Sequence, residues 1–137
     1  MILIVDDDQP RMSSFREMLT LLGKKHVMIT RVREVPGYLR DHHAEIEVIV
    51  LDILMPDGAL MATLENEFDY QVRNRAEETG LILYKYVRSK YPDIPILIHT
   101  VVRKPEILRM LKKDGTAYLE KPSWLEDLVE AVEEVSR

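Results

Sequence analysis

The sequence contains no cysteine, so disulfides, thiol nucleophiles and thiolate-held zinc are excluded together. A chain without thiols suits a reducing compartment. It also lacks any apolar run near the ~20 residues needed to span a bilayer. No basic stretch precedes the apolar residues at its N-terminus, so the secretory-signal pattern is missing. By elimination the expected address is the cytoplasm, with no membrane partner. Positive charge is in short supply: 19 Lys and Arg stand against 24 Asp and Glu, a formal net charge of −5. That balance leaves no electrostatic footprint for nucleic acid, whose phosphates are met by clustered Lys and Arg.

What is present is enough for one core. The 137 residues are 46% apolar and 31% charged, which predicts a single folded domain over residues 1–137. Short apolar runs alternate with helical patterns. Ile2–Val5 is apolar throughout and stops at three aspartates. Asp8 then fits a helix cap, with Pro10 in the first turn, where a missing N–H costs nothing. Met12, Phe15, Leu19 and Leu22 recur at helical spacing, and Gly23 can close that helix. Further strands are expected at 27–30, 46–51, 95–99 and 117–119. Helices are expected at 35–42, 81–90, 106–113 and from Ser123 onward, the last with a buried stripe of Leu125, Leu128, Val129, Val132 and Val135.

Strands apolar on both faces and separated by helices predict a doubly wound α/β domain with a five-stranded parallel sheet. Ligands in such sheets bind beyond the carboxyl ends of the strands. The residues standing there are Asp6, Asp7 and Asp8, then Asp52, Thr100 and Lys121. Three carboxylates at one sheet edge repel one another unless a cation joins them. Oxygen ligands favour Mg²⁺, Mn²⁺ or Ca²⁺ over zinc or copper, and Mg²⁺ suits a site of one or two carboxylates completed by phosphate oxygens, so Asp6, Asp7, Asp52 and a backbone carbonyl such as that of Leu54 form a candidate site for Mg²⁺ or Mn²⁺. A carboxylate can also act as nucleophile and form an aspartyl-phosphate. The ammonium of Lys121 and the hydroxyl of Thr100 could then meet the phosphoryl oxygens. Singly these residues say little. Asp6 and Asp7 suit helix caps as readily as ligands, Lys121–Pro122 is a common turn pair, and a lone Thr100 is uninformative. Together, four matched strand ends point to phosphoryl chemistry.

The segments ILIVDDD at Ile2–Asp8, VLDILMP at Val50–Pro56, PILIHT at Pro95–Thr100 and YLEKP at Tyr118–Pro122 resemble the receiver domain of two-component response regulators. The resemblance covers essentially the whole chain outside one insertion. It implies a flavodoxin-like sheet of order 2-1-3-4-5. It implies Asp52 as phosphoacceptor, Asp6 and Asp7 as the acidic metal-site pair, and Lys121 as the phosphoryl-oxygen ligand, with Pro122 at a cis-proline position. Thr100 and Tyr118 become the switch pair. A sensor histidine kinase or phosphotransfer protein would supply the phosphoryl group. A downstream protein or a second copy would read the face of the fourth helix, fifth strand and fifth helix. Such a domain assists its own phosphorylation without being a turnover enzyme.

The sequence departs from that family in three places. Residues 57–79 form an insertion after the third strand, far longer than the ~2–6 residues usual for a βα loop. Val101 follows Thr100 where alanine or glycine is usual, and its branched side chain would narrow access to Asp52. Leu54 stands two residues after Asp52, where it cannot position a hydrolytic water. The same leucine argues against an aspartate-nucleophile phosphatase, which would want a second acid there. The competing reading is a phosphorylation-independent interaction or dimerisation module that keeps the fold. Of the remaining residues, His42 and His43 read as a solvated helix end, His99 as a core or half-buried histidine, and Trp124 as a residue that packs locally.

Overall fold

The computed structural model describes residues 1–55 and 79–136. Most of the expected insertion, residues 57–78, lies outside the described residues. Five strands run β1 Ile2–Val5, β2 His26–Ile29, β3 Val48–Leu51, β4 Ile96–Thr100 and β5 Ala117–Glu120. Among the described residues, five α-helices connect or follow them: α1 Gln9–Leu21, α2 Val35–His42, α3 Thr79–Lys90, α4 Pro105–Asp114 and α5 Leu125–Val135. All pairings are parallel and the order is β2-β1-β3-β4-β5, the doubly wound sheet expected.

Strand parity sorts the core into two layers. Leu3, Val5, Ile49, Leu51, Ile96 and Ile98 pack on the α2, α3 and α4 side. Ile2, Ile4, Val48, Val50 and Leu97 pack against Met12, Phe15 and Leu19 of α1 and Leu128 and Val132 of α5. Each fully buried Leu or Ile contributes about 1.5–3 kcal/mol, so the continuous apolar runs are what hold the sheet between its helices. Within the expected stripe of α5, Leu128 and Val132 are buried while Leu125, Val129 and Val135 are half-buried. Leu22, which shares the helical spacing of Met12, Phe15 and Leu19, is exposed where those three are buried. It is the C-cap, and Gly23 at φ 71° turns the chain away before Leu22 can reach the sheet. Gly115, at φ 70°, closes α4 in the same left-handed way.

Helix α3 begins at Thr79, two residues before the periodicity predicts, and both its ends are fastened. At the start, the N–H groups of Thr79 and Gly80 donate to the carbonyls of Met55 (3.3 Å) and Ile53 (3.1 Å). Farther along, the buried Tyr84 hydroxyl donates to Asp114 Oδ2 at 2.7 Å and lies 2.7 Å from Thr116 Oγ1. Arg88 adds bonds to Thr116 Oγ1 (3.0 Å) and the Ile94 carbonyl (3.2 Å). The helix is therefore tied to the end of β3 at one end and to the α4–β5 turn at the other.

Candidate phosphoryl-transfer site

The register decides which side chains meet. Val5 pairs with Leu51, so Asp6 and Asp52, the next residue in each strand, emerge side by side. Asp52 N–H donates to the Val5 carbonyl at 3.0 Å and extends that pairing by one residue. Thr100 pairs with Glu120, so Lys121 leaves β5 at the same edge, its N–H bonded to the Thr100 carbonyl at 2.9 Å. This edge lies where the chain turns back from β2 across β1 to β3, the switch point at which doubly wound sheets open a crevice.

Both buried acids are held by the same local device. Asp6 Oδ1 accepts from the N–H of Asp8 and Asp52 Oδ1 from that of Leu54, each at 2.9 Å. These turns fix the carboxylates and leave the second oxygens inward. Lys121 Nζ bridges those oxygens, 2.6 Å from Asp6 Oδ2 and 2.9 Å from Asp52 Oδ2. Asp6 is 2% exposed and Asp52 6%, whereas Asp7 is open to solvent. Burial raises the Asp6 pKa, and the Lys121 hydrogen bond only partly counters it. Burial would depress the Lys121 pKa, but bonding to Asp6 and attraction to Asp52 outweigh it and leave it raised. The ammonium is thus locked on, between two carboxylates that resist losing it.

One oxygen from each of Asp6, Asp7 and Asp52 lies within 4.8 Å of the others. The donor set is all hard oxygen, with excess negative charge and one exposed member, which suits a partly hydrated Mg²⁺ or Mn²⁺. Leu54 borders the same space. A cleft of about 430 Å³ opens over Asp52, lined by Asp7, Asp8, Arg11, Leu54, Val101 and Lys121. Asp8 takes its expected part as cap of α1, accepting from Arg11 N–H at 3.2 Å, and its other oxygen pairs with Arg11 Nε at 3.1 Å.

Of the sequence-derived candidates, the structure brings Asp6, Asp7, Asp52, Leu54 and Lys121 together. The Lys121–Pro122 bond is cis. Thr100 is adjacent but wholly buried and does not line the cleft. Its hydroxyl accepts from the Val102 N–H at 3.3 Å. Tyr118, on the same sheet face, donates its hydroxyl to the Val102 carbonyl at 3.0 Å. Both candidate switch side chains therefore hold one residue, Val102, which the sequence did not single out. His99 is buried as expected. Trp124 is not packed locally: it is 77% exposed. It precedes the first turn of α5 in extended conformation, and what it gives the helix is its carbonyl, which accepts from Leu128 N–H at 3.1 Å.

No protein-family model matches the sequence, and no curated protein matches it. Solved structures do resemble it along nearly its whole length. A CheY-like response regulator receiver domain protein of Methanospirillum hungatei matches with a TM-score of 0.73 and 23% identity, over 98% of this chain and 91% of that one. The chemotaxis protein CheY4 of Vibrio cholerae matches with a TM-score of 0.71 and 27% identity, over 98% and 96%. A two-component response regulator of Clostridium difficile matches with a TM-score of 0.73 and 22% identity, over 98% and 93%. The chain has the fold of CheY-like receiver domains.

Proposed function

We propose that this receiver-fold chain is a phosphorylatable signalling switch in which Asp52 accepts a phosphoryl group from the phosphohistidine of a kinase or phosphotransfer protein. The observation that carries the proposal is Lys121 bridging Asp6 and Asp52 beside Asp7, at the floor of an open cleft. A carboxylate oxygen of Asp52 attacks phosphorus. The new O–P bond forms as the P–N bond breaks, and the imidazole nitrogen leaves with the electron pair. Lys121 is already within bonding distance of Asp52 Oδ2 and exchanges that contact for a phosphoryl oxygen. Asp6, Asp7, Asp52 and the Leu54 carbonyl would hold Mg²⁺ or Mn²⁺, which neutralises charge on the phosphoryl oxygens. Thr100 releases the Val102 N–H and turns toward the phosphoryl group, Tyr118 follows, and the face of α4, β5 and α5 changes its affinity for a protein partner. The chain works in the cytoplasm, as a switch and not as a turnover enzyme.

Incubation with Mg²⁺ and acetyl phosphate, followed by intact-mass measurement, tests this reading. One added phosphoryl group is expected, and none in Asp52→Asn. A wild-type protein that gains nothing from acetyl phosphate or from kinase preparations points to the phosphorylation-independent module.

Val101 stands at the cleft mouth, 43% exposed. Its two methyls limit the approach of water to the acyl phosphate, and Leu54 offers water no hydrogen bond. In Val101→Ala the phosphoryl group should therefore be lost about threefold faster, equal to about 0.7 kcal/mol of barrier. The decay of the phosphorylated mass after donor removal reads this directly, and an unchanged half-life would refute it.

A further inference from the structure

His99 lies one residue before Thr100, so strand parity turns it to the opposite face, toward α1 and α5. It is 5% exposed. Its Nε2 sits 3.0 Å from Ser123 Oγ, while its Nδ1 is buried without a hydrogen-bond partner. A buried N–H without an acceptor is rarer than a lone pair without a donor. That favours the tautomer in which Nε2–H donates to Ser123 Oγ and Nδ1 carries the bare lone pair. Burial, aided by the nearby Lys121 charge, pushes the ring's pKa down to about 4, so it stays neutral and keeps this single donor.

Ser123 is two residues beyond Lys121, in the short loop between β5 and α5. Lys121 itself is tied to the sheet through its N–H on the Thr100 carbonyl; past it, Pro122 has no side-chain donor or acceptor and Trp124 points outward, so Ser123 supplies the side-chain tie of the rest of the loop. We propose that the His99–Ser123 hydrogen bond is a positioning clamp that sets where Lys121 stands between Asp6 and Asp52. Neither residue touches the reacting atoms; they act through the loop that carries the ammonium. The clamp rests on the reading of Asp52 as phosphoacceptor. The roles implied by the receiver resemblance fall on Thr100 and Lys121 and assign none to His99 or Ser123.

The test compares the wild type with His99→Val, Ser123→Ala, the double variant and His99→Gln, whose amide nitrogen reaches the place of Nε2. The rate of phosphoryl gain from acetyl phosphate at saturating Mg²⁺ is followed by intact mass, with circular dichroism confirming the fold. Each single loss should slow transfer about tenfold, since a displacement of about 1 Å can cost up to 100-fold. The double variant should be no slower than either single one, and His99→Gln should recover most of the rate. A purely structural role would shift melting temperatures and leave the rate of the folded protein alone. Folded variants with the wild-type rate overturn the clamp, and slowed variants that Gln does not recover overturn the hydrogen bond as its basis. Should His99→Val not fold, Ser123→Ala and His99→Gln decide alone. A wild-type protein that gains no phosphoryl group fails at the earlier step and overturns the function itself, which tells the two failures apart.

Discussion

Replacing Lys121 with methionine should destabilise the protein by about 3–5 kcal/mol at neutral pH, the usual cost of leaving a buried charge without its partner. Lys121 is held between two carboxylates at 2.6 and 2.9 Å, and both acids are almost wholly buried. Methionine keeps the apolar stem and removes only the charge, so the effect is electrostatic and not a cavity. The pH dependence gives the sign. Burial raises the pKa of Asp6, so its ionisation opposes folding as pH rises through that raised value. Lys121 offsets this, and because its own pKa is raised, the offset persists through neutral pH and fades only in the alkaline range. In the variant the deficit should be largest at neutral pH and shrink as pH falls through the carboxylate range. Urea unfolding across that range checks it; a deficit independent of pH would show that packing is responsible. Mg²⁺ should recover more stability in the variant than in the wild type, because a dication can neutralise the acids the ammonium has left. Phosphoryl gain should slow by about 100-fold or more, the effect of deleting one preorganised donor.

Gly80→Ala should cost about 3 kcal/mol, the upper part of the range for overpacking, and lower the melting temperature by about 10 °C. A Cβ there would stand 2.7 Å from Ile53 Cα and 2.9 Å from the Ile53 carbonyl oxygen, and would collide with the carbonyl of Asp52. All three are backbone atoms, so no side chain can swing aside. Alanine's better helix propensity returns only about 1 kcal/mol. Nor can α3 slide away, because Tyr84 and Arg88 bind its other part to Asp114 and Thr116. Gly37→Ala in α2 is the control. There the new methyl meets only the Arg40 guanidinium, at 3.9 Å, and a gain of about 0.5–1 kcal/mol is expected. Thermal melts of both variants check the contrast; equal shifts would show that the close approach at Asp52 is not tight. Asp52 is the proposed acceptor, so Gly80→Ala should also slow phosphoryl gain.

The parts of this site that could be read in the sequence are those announced by local pattern. Apolar runs that stop at Asp6 and Asp52 mark strand ends, and parallel pairing then has to bring those ends together. Lys121 was legible for a related reason, standing two residues past the fifth apolar run. Contacts between distant residues carry no such mark. His99 and Ser123, Tyr84 and Asp114, and Tyr118 and Val102 lie far apart in the chain, and nothing near either partner announces the other. Trp124 was misread because an aromatic beside a site suggests packing, whereas here the extended backbone before α5 turns it outward.

The backbone of Val102 also has a thermodynamic consequence. Its N–H donates to Thr100 Oγ1 and its carbonyl accepts from the Tyr118 hydroxyl, so under the proposed switch the two side chains are coupled through the two peptide units that meet at one Cα. A ligand that draws Tyr118 away from Val102 then favours the release of Thr100. Linkage is reciprocal: whatever factor phosphorylation adds to a partner's affinity, that partner must add to the equilibrium of phosphorylation. A target bound at α4, β5 and α5 would then be more than a reader of Asp52. It would draw the protein toward the phosphorylated state, and signal output would depend on how much target the cell holds.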